Sequence, residues 1–342
     1  MLIIHPQFIK SQPFWEESHG IQPDTLIESI WGGRECSTVD TYCLYARKFL
    51  NHARESNILI QLPLRSIDVA KYLAHLKASQ AKKGMITSSL AALKWLHSFV
   101  PGINAWNNPL NDDFLGKILS GYQRELGTER KQKKSLSGDM ISKIISSSNL
   151  DDLTALRDCL TIAFAYSLLL RYDELSHIAC SHLALESHGY KITIPKSKTD
   201  KYRNGKNVFL AKTDSHSSTF TLLSKYLHMA NLAPGLNHFL FCPLKKSGQT
   251  FSLINKKLSY TSFRDIVKNA VKQIGEDESQ YGTHSCRAGG ATDLAPNVSE
   301  HELLVSGRWS DPRSIRSYVE LSDRSRYHIN EILETNLSES SR

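Results

Sequence analysis

Four stretches of helical periodicity follow one another between residues 37 and 126. They indicate that the first half of the chain folds as α-helices. In each stretch, apolar residues recur at intervals of three and four, which places them on one face of an α-helix. Short polar segments separate the stretches, so the helices are expected to pack together as a compact all-α unit. The apolar positions are Val39, Tyr42, Tyr45 and Phe49; Val69, Tyr72, Leu73 and Leu76; Ile86, Leu90, Leu93, Leu96 and Val100; and Phe114, Leu115, Ile118, Leu119 and Tyr122.

The length and composition favour a globular protein of two domains, because the chain has 342 residues with 40% hydrophobic and 22% charged side chains. No stretch approaches the roughly 18 consecutive apolar residues that a membrane helix needs, and the first residues lack the pattern of a secretory signal. The six cysteines are scattered, without a Cys-x-x-Cys pair or a zinc-ligand spacing. We therefore expect an intracellular protein with reduced thiols.

The charge balance favours a polyanionic partner. Lys and Arg outnumber Asp and Glu by 42 to 34, which gives a net charge of +8, and basic side chains bind phosphates by releasing condensed counterions. One basic cluster lies in residues 128–137, TERKQKKSLS, an apolar-poor segment expected to be an interdomain linker. We expect Arg130, Lys131, Lys133 and Lys134 to contact phosphates, although a merely solvated loop would have the same composition.

The second half of the chain mixes helical and strand-like patterns. Residues 151–171 form an apolar helical run that ends in SLLLRYDEL. Residues 190–194 alternate apolar with polar side chains, and a second strand-like run at 208–210 follows Asn204-Gly205. Because Asn and Gly both accept the positive φ of a type I′ turn, a β-hairpin is expected there. Helical patterns then return and continue to the end of the chain.

Several residues of this half have the chemistry needed to cut a phosphodiester bond. Guanidinium groups can grip the non-bridging oxygens, a hydroxyl can attack phosphorus, and a proton donor must reach the leaving oxygen. Arg171 follows the apolar run, and Lys198 lies where the first strand gives way to its loop. His284 and Arg287, three residues apart, share one face of a helix that opens near Ser285. Taken alone, each has an ordinary interpretation as a surface, capping or ion-paired residue.

The order and spacing of the set resemble the tyrosine recombinase (phage integrase) family. The matching segments are LLLRYDEL, KSKTD, THSCRAGGATDLA and SGRWSDPRSIRSY. The family pattern is an Arg with Glu or Asp, a Lys on a β-hairpin, His-x-x-Arg, then His or Trp, and a Tyr about nine residues later. Trp309 and Tyr318, nine residues apart, complete it here. The resemblance covers about residues 37–325 and is nearest to Cre-like members and to recombinases of eukaryotic mobile elements such as Cryptons and DIRS-type retroelements.

The resemblance implies a phosphate-binding group. Arg171, Arg287 and Trp309 would bind the non-bridging oxygens and stabilise the pentacoordinate transition state. Glu174 would not contact the phosphate but would orient the residues that do. Trp309 replaces the His that is more frequent in bacterial members, and an indole N–H can donate in its place. Ala288 follows Arg287 where a second Arg is common, which is expected to weaken DNA contacts without removing the core set.

The resemblance also implies the reacting groups. Tyr318 would attack the phosphate, forming a 3′-phosphotyrosyl link and freeing a 5′-hydroxyl. Lys198 would protonate the leaving oxygen, and His284 would assist proton transfer at the nucleophile. The covalent link conserves the energy of the phosphodiester, so no ATP, metal or other cofactor is implied. Tyr327 is a rival nucleophile that lies outside the spacing.

A mainly α fold is implied, with a helical N-terminal core-binding domain and a helical catalytic domain that contains a small antiparallel β-sheet. The expected divisions are an arm (1–35), a SAM-like core-binding domain (36–127), the basic linker (128–137), the catalytic domain (138–325) and a tail helix (326–342). The two domains would clamp double-stranded DNA. A tetramer on two recombination sites is implied, with the tail helix docked on a neighbouring protomer. The location would be the nucleus in a eukaryotic host and the cytoplasm otherwise.

Two alternatives remain open at this point. A type IB topoisomerase-like enzyme would share the chemistry but relax DNA as a monomer. A catalytically silent, domesticated protein would bind DNA without cutting it. No catalytic position of the family pattern is missing from the sequence, so an active enzyme is expected.

Overall fold

The structure is a computed structural model of the chain. It describes residues 36–98, 100, 102–104, 106–126, 133–196, 205–213, 215–216, 218–247 and 250–317. Contacts divide the chain into two compact units, Met1–Arg130 and Lys131–Arg342. The predicted arm (1–35) and tail helix (326–342) lie outside the described residues. Within the described ranges, none of the helices has the length and apolar character required to cross a membrane.

Four α-helices form the described part of the first unit, and the predicted all-α unit is confirmed. They are α1 (Cys36–Glu55), α2 (Ser66–Ala78), α3 (Lys83–His97) and α4 (Asp113–Glu125), with a 3₁₀ turn at Pro109–Asn111. Most of the predicted apolar positions meet in one core, whose most deeply buried members include Tyr72, Leu73, Leu93, Leu110 and Leu115, whereas Phe114 is 45% exposed. Asp112 caps α4 by accepting a hydrogen bond from the backbone nitrogen of Phe114, which satisfies one of the open donors at a helix start.

The second unit is mainly helical in its described residues. Its α-helices are α5 (Gly138–Ser146), α6 (Leu153–Ser167), α7 (Tyr172–Ser176), α8 (Thr219–Met229), α9 (Tyr260–Gln273), α10 (Ser285–Leu294) and α11 (Glu300–Gly307). Short 3₁₀ turns lie at Cys180–His182, Glu278–Gln280, Ala295–Asn297 and Pro312–Ser317. Helix α6 contacts α5, α8, α9 and α10, and Leu156, Leu160 and Phe164 on it are fully buried. A helix buried on several sides in this way forms the centre of a core.

Two small antiparallel sheets accompany these helices, so the predicted fold class is confirmed. The first has the order β1 (Leu183–Glu186), β2 (Gly189–Ile194) and β3 (Lys206–Ala211), and the second pairs β4 (Leu244–Ser247) with β5 (Thr250–Leu253). Strands β2 and β3 are the predicted hairpin, paired from Gly189 with Ala211 to Ile194 with Lys206. The sequence made no prediction for the residues of β1, and the second sheet lies where helical patterns were predicted, so that part of the prediction is wrong.

The connection between β2 and β3 differs from the prediction. The last strand pair joins Ile194 to Lys206, so residues 195–205 connect the strands and the two-residue type I′ turn predicted at Asn204-Gly205 is wrong. Pro195 has no backbone N–H to donate, which explains why the ladder ends there. Gly205 does have the positive φ that the prediction required, at 69°, but it ends a longer loop.

The apolar run before Arg171 ends four residues earlier than predicted. Helix α6 ends at Ser167, and Leu169 takes a left-handed conformation with a φ of 50°. The backbone nitrogen of Leu170 donates to the carbonyl of Ala165 and that of Leu169 to Tyr166, at 2.9 and 3.2 Å. This is the hydrogen-bond pattern of a Schellman motif. The reversal brings Arg171 out of the helix, in extended conformation, at the start of α7.

The end of the predicted linker packs on the second unit. Leu136 is fully buried, and its backbone nitrogen donates to the carbonyl of Ser285 at 3.0 Å. A Cβ atom at Gly289 would lie 1.8 Å from the carbonyl oxygen of Leu136. Residue 289 must therefore be glycine for this segment to lie against α10. Arg130 and Lys131 lie outside the described residues.

Candidate active site

Glu174 is the centre of the candidate site, and its carboxylate is fully buried. Because Arg171 stands just before α7 in extended conformation, both its backbone and its side chain can reach the residue three positions on. The backbone nitrogen of Arg171 donates to Oε2 of Glu174 at 3.0 Å, and its Nη1 donates to Oε1 at 2.8 Å. The Arg171 side chain keeps 16% exposure. The carboxylate thus fixes a guanidinium that still reaches solvent.

Arg287 lies on α10 and is fully buried. Its Nη1 donates to the carbonyl of Leu169 and its Nη2 to the carbonyl of Gly307. Its Nη1 also lies 3.6 Å from Oε2 of Glu174. The Schellman turn at the end of α6 and the end of α11 therefore both meet this guanidinium. His284, one turn earlier, stands exposed at the N-terminal end of the same helix.

Trp309 stacks on the guanidinium of Arg287. The Arg287 Cζ lies 4.5 Å from the centroid of the indole ring, the geometry of a cation–π contact. A Cβ atom at Gly307 would lie 1.8 Å from the ring, so the indole fits only because that residue is glycine. Trp309 packs with buried Leu169, Ala291, Leu303 and Ile315 in one apolar cluster. This cluster fixes the segment that leads to Tyr318.

Arg308 is a site residue to which the family pattern gives no role. It follows α11 with a left-handed φ of 55°, and its exposure is only 4%. Its Nη2 donates to Oε2 of Glu174 at 2.9 Å and to the carbonyl of Leu169 at 2.7 Å. Both terminal nitrogens also donate to the carbonyl of Leu168 at 3.2 Å. The signal that could have found it is its place between Gly and Trp in GRW.

The structure thus brings Arg171, Glu174, Arg287 and Trp309 together, with His284 on the same helix as Arg287. Lys198 and Tyr318 lie outside the described residues. Two observations bear on the segments that lead to them. The ammonium nitrogen of Lys196 lies 3.6 Å from Oδ2 of Asp173 on α7. At the other end, Ile315 is buried beside Trp309 three residues before Tyr318. The described ends of both segments, at Lys196 and Ile315, therefore lie beside residues next to the cluster around Glu174.

The basic linker residues are described only in part. Lys133 and Lys134 are exposed. The ammonium group of Lys133 donates to the carbonyl of Ser279, and the backbone nitrogen of Lys134 donates to the carbonyl of Gln280 at 2.8 Å. Both positive charges therefore lie at the surface beside the 3₁₀ turn Glu278–Gln280.

The arrangement has the chemistry of an anion site. Three guanidinium groups surround one carboxylate, so the cluster carries an excess of positive charge in a largely buried setting. Guanidinium groups bind phosphate oxygens through paired N–H donors. Among the described residues, no group of three or more His, Cys, Asp or Glu side chains is placed to hold a metal ion.

Comparison with known proteins identifies the family. Residues 134–325 match the phage integrase family. A curated relative, an integrase/recombinase XerD homologue of Selenomonas ruminantium, is 25% identical over 261 residues, which are 76% of this chain and 74% of that protein. The recombinase Cre of Escherichia phage P1 is 23% identical over 272 residues, which are 75% of this chain and 76% of that protein.

Solved structures share the fold. The XerH site-specific recombinase bound to a palindromic difH substrate in a post-cleavage complex has a TM-score of 0.63, with 18% identity over 86% of this chain and 80% of that one. A lambda integrase dimer bound to a COC′ core site has a TM-score of 0.56, with 14% identity over 94% of this chain and 86% of that one. The family match covers more than half of the sequence. This protein therefore belongs to the phage integrase family and is a site-specific DNA strand transferase of the tyrosine recombinase type.

Proposed function

We propose that the protein cuts and rejoins DNA through a covalent 3′-phosphotyrosyl link to Tyr318. The observation that supports this most is the cluster of Arg171, Arg287 and Trp309 around buried Glu174. Phosphoryl transfer places negative charge on the non-bridging oxygens, and cationic donors that the protein holds nearby stabilise that charge. Arg171 is the partly exposed guanidinium of the cluster and makes the first contact with the phosphate.

The covalent step exchanges one phosphoester for another. The hydroxyl oxygen of Tyr318 forms a bond to phosphorus, while the bond between phosphorus and the 5′-oxygen breaks. Lys198 gives its proton to the leaving 5′-oxygen, and His284 assists removal of the tyrosine proton. A 5′-hydroxyl from another strand then reverses the step and releases Tyr318. Because each step replaces one phosphoester with one phosphoester, ATP is not consumed.

In this proposal guanidinium groups supply the positive charge that a bound metal ion supplies in many nucleases. The pattern Arg, Lys, His, Arg, Trp and Tyr contains no converging carboxylates of the kind that hold Mg²⁺. Glu174, the carboxylate nearest to the cluster, accepts hydrogen bonds from Arg171 and Arg308. Cleavage is therefore expected to proceed in the presence of a chelator.

Arg287 must change its surroundings to contact DNA directly. Its guanidinium is fully buried and its Nη1 and Nη2 donate to backbone carbonyls. We propose that binding of the phosphate moves the indole of Trp309 from its stacked position, so that Arg287 and Trp309 both face the non-bridging oxygens. The Gly307 backbone, which lies against the ring, is the point about which this segment would turn.

Double-stranded DNA is the proposed substrate, gripped by the core-binding domain (36–127), the basic linker (128–137) and the catalytic domain (138–325). The support is the net charge of +8 and the DNA present in the XerH and lambda integrase complexes. We propose that four copies act on two sites, with the tail helix (326–342) docked on a neighbour. The lambda integrase structure is a dimer on its core site, which supports assembly on DNA.

A trapping experiment tests this function. Duplexes selected for binding from a random pool would be nicked at successive positions near the centre, so that the cut 5′-end diffuses away and leaves the protein attached. A covalent adduct is expected on denaturing gels, in excess chelator as well as with Mg²⁺. Binding without any adduct would indicate the silent DNA-binding alternative. Relaxation of plasmids that lack the selected sequence would indicate the topoisomerase alternative.

A further inference from the structure

Arg308 is buried behind the residues that are exposed at the site. Its side chain is 2% exposed, and its terminal nitrogens donate to protein acceptors, namely Leu168, Leu169, Ser306 and Glu174. These bonds leave its terminal N–H groups committed to the protein. Arg308 therefore acts on the phosphate through other residues.

The Glu174 carboxylate couples Arg308 to Arg171. Its Oε2 accepts from Nη2 of Arg308 at 2.9 Å and its Oε1 from Nη1 of Arg171 at 2.8 Å. If Arg171 were the sole cationic partner of the Glu174 carboxylate, the carboxylate would cancel its positive charge. Without any cationic partner, burial of the carboxylate would be unfavourable. Arg287 and Arg308, which are both buried, are further cationic partners of the carboxylate. Because Arg308 also donates a hydrogen bond to it, the charge of the carboxylate is compensated by buried side chains. Arg171 is then held in place with its own positive charge available to the substrate.

Arg308 also fixes the two segments that contact Arg287. The carbonyl of Leu169 accepts from both Arg308 and Arg287. Gly307 and Trp309, the chain neighbours of Arg308, provide the other carbonyl and the stacked indole. The left-handed φ of 55° at Arg308 is unfavourable for a residue other than glycine. Five hydrogen bonds from its side chain offset that strain.

We propose that Arg308 is a positioning residue of the phosphate site: it binds the Glu174 carboxylate and the carbonyls at the end of α6, and thereby holds Arg171 in place and leaves the positive charge of Arg171 available to the phosphate. The inference rests on the proposed role of Arg171 as a phosphate ligand. It adds to that role a buried third arginine, which touches neither the DNA nor the nucleophile.

The test compares Arg308→Met with Arg308→Lys on the nicked duplex in single-turnover cleavage. Arg308→Met removes the charge and should slow cleavage on the order of 10²–10³-fold, the range seen when one fixed donor to a transition-state charge is lost. Arg308→Lys keeps the charge but lacks the planar fork, so a loss of roughly tenfold is expected. Affinity for the intact duplex should stay within about threefold in both, because Arg308 does not face DNA. A cleavage rate equal to that of the unsubstituted protein in Arg308→Met overturns the proposal.

A second variant separates positioning from a general loss of structure. In Arg308→Met the Glu174 charge is left with one partner fewer, so adding Glu174→Gln should restore cleavage by roughly tenfold over Arg308→Met alone. Residues that act through one shared charge show this kind of non-additivity. A double variant slower than Arg308→Met contradicts the inference. Should Arg308→Met fail to fold, Arg308→Lys carries the test, and an unchanged rate in that variant overturns it.

Arg157 provides the matched control in the same unit. It is also buried, at 8% exposure, and its Nη2 pairs with Asp158 at 2.6 Å, while its Nη1 donates to the carbonyl of Cys242. Arg157→Met should lower stability and leave the cleavage rate of the folded protein unchanged. A loss of rate equal to that of Arg308→Met would attribute the Arg308 effect to destabilisation.

Failure of this inference is distinguishable from failure of the proposed function. If Arg171→Ala and Tyr318→Phe also cleave normally, the proposed function itself is wrong. If those two are inactive while Arg308→Met is normal, only the role of Arg308 is wrong.

Discussion

The ammonium nitrogen of Lys196 lies 3.6 Å from a carboxylate oxygen of Asp173. Asp173 belongs to α7 and follows Arg171 by two residues. The end of β2 is therefore held beside the helix that positions the exposed guanidinium. Lys198 follows two residues later, on the loop between β2 and β3. Lys198 is the proton donor in the proposed mechanism.

Replacing Lys198 with Ala should slow cleavage on the order of 10²–10⁴-fold, because an alkoxide is a poor leaving group without a proton donor. A substrate with sulfur at the bridging 5′ position should restore the rate, since a thiol has a pKa of about 8.5 and its thiolate leaves without protonation. Single-turnover cleavage of the oxygen and sulfur substrates measures both effects.

The controls for the sulfur substrate are variants that lose phosphate binding rather than proton donation. Arg171→Ala and Arg287→Ala remove positive charges that stabilise the non-bridging oxygens, so sulfur at the bridging position should not restore their cleavage rates. If sulfur leaves Lys198→Ala as slow as before, Lys198 is not the proton donor. Lys196 and Lys201 would then be the next residues to test.

The sequence predicted most of the residues that form the described cluster, because their chemistry and spacing follow a family pattern. Arg171, Glu174, Arg287 and Trp309 were all named from that pattern, and the structure places them in contact. Arg308 lies within the matching segment SGRWSDPRSIRSY, but the pattern gave it no role. Its role depends on a left-handed backbone at the end of α11 and on acceptors more than 130 residues earlier in the chain. Local patterns do not contain that information.

Helix α10 approaches the rest of its unit unusually closely because of its glycines. A Cβ atom at Gly289 would lie 1.8 Å from the carbonyl oxygen of Leu136 and 2.6 Å from its carbonyl carbon. Those atoms belong to backbone, which cannot rotate away as a side chain can. The same helix carries Arg287, so this contact contributes to the position of a proposed phosphate ligand.

Gly289→Ala should therefore lower the free energy of unfolding of the second unit by about 3 kcal/mol, at the upper end for overpacked positions. Urea unfolding followed by circular dichroism measures the change. Gly121→Ala, in α4 with nothing within 4 Å of its Cβ position, is the matched control. It should raise the stability of its own unit by about 0.5–1 kcal/mol, as expected for glycine in an open helix. Equal stability of Gly289→Ala and the unsubstituted protein would contradict the close approach.

Long periodic elements were predictable, and short ones were not. The helices of the first unit follow from their stripes, β2 from the alternation at 190–194, and β3 from the strand-like run at 208–210. The second sheet was missed because β4 and β5 have four residues each, too few for a period of two to stand out. The end of α6 was misplaced because SLLLR continues the apolar run, whereas the hydrogen bonds that end the helix depend on Leu169 adopting a positive φ.

The distribution of charge predicts how the whole protein binds DNA. With a net charge of +8, affinity should fall steeply with salt, at about −0.9 in log K per log salt for each phosphate neutralised. Replacing Arg130, Lys131, Lys133 and Lys134 together with Gln should make the slope shallower if the linker follows the DNA backbone. Fluorescence anisotropy at several salt concentrations measures it. An unchanged slope would assign the cluster to a solvated loop.

The covalent link to Tyr318 is the claim on which the proposed mechanism depends. Tyr318→Phe removes only the attacking oxygen, so binding of the selected duplex should remain nearly intact while the adduct on the nicked duplex disappears. Tyr327→Phe should form the adduct as the unsubstituted protein does. The measurement is the amount of protein that stays attached to labelled DNA on a denaturing gel. An adduct that survives in Tyr318→Phe and is lost in Tyr327→Phe would show that the nucleophile is Tyr327 and contradict the account.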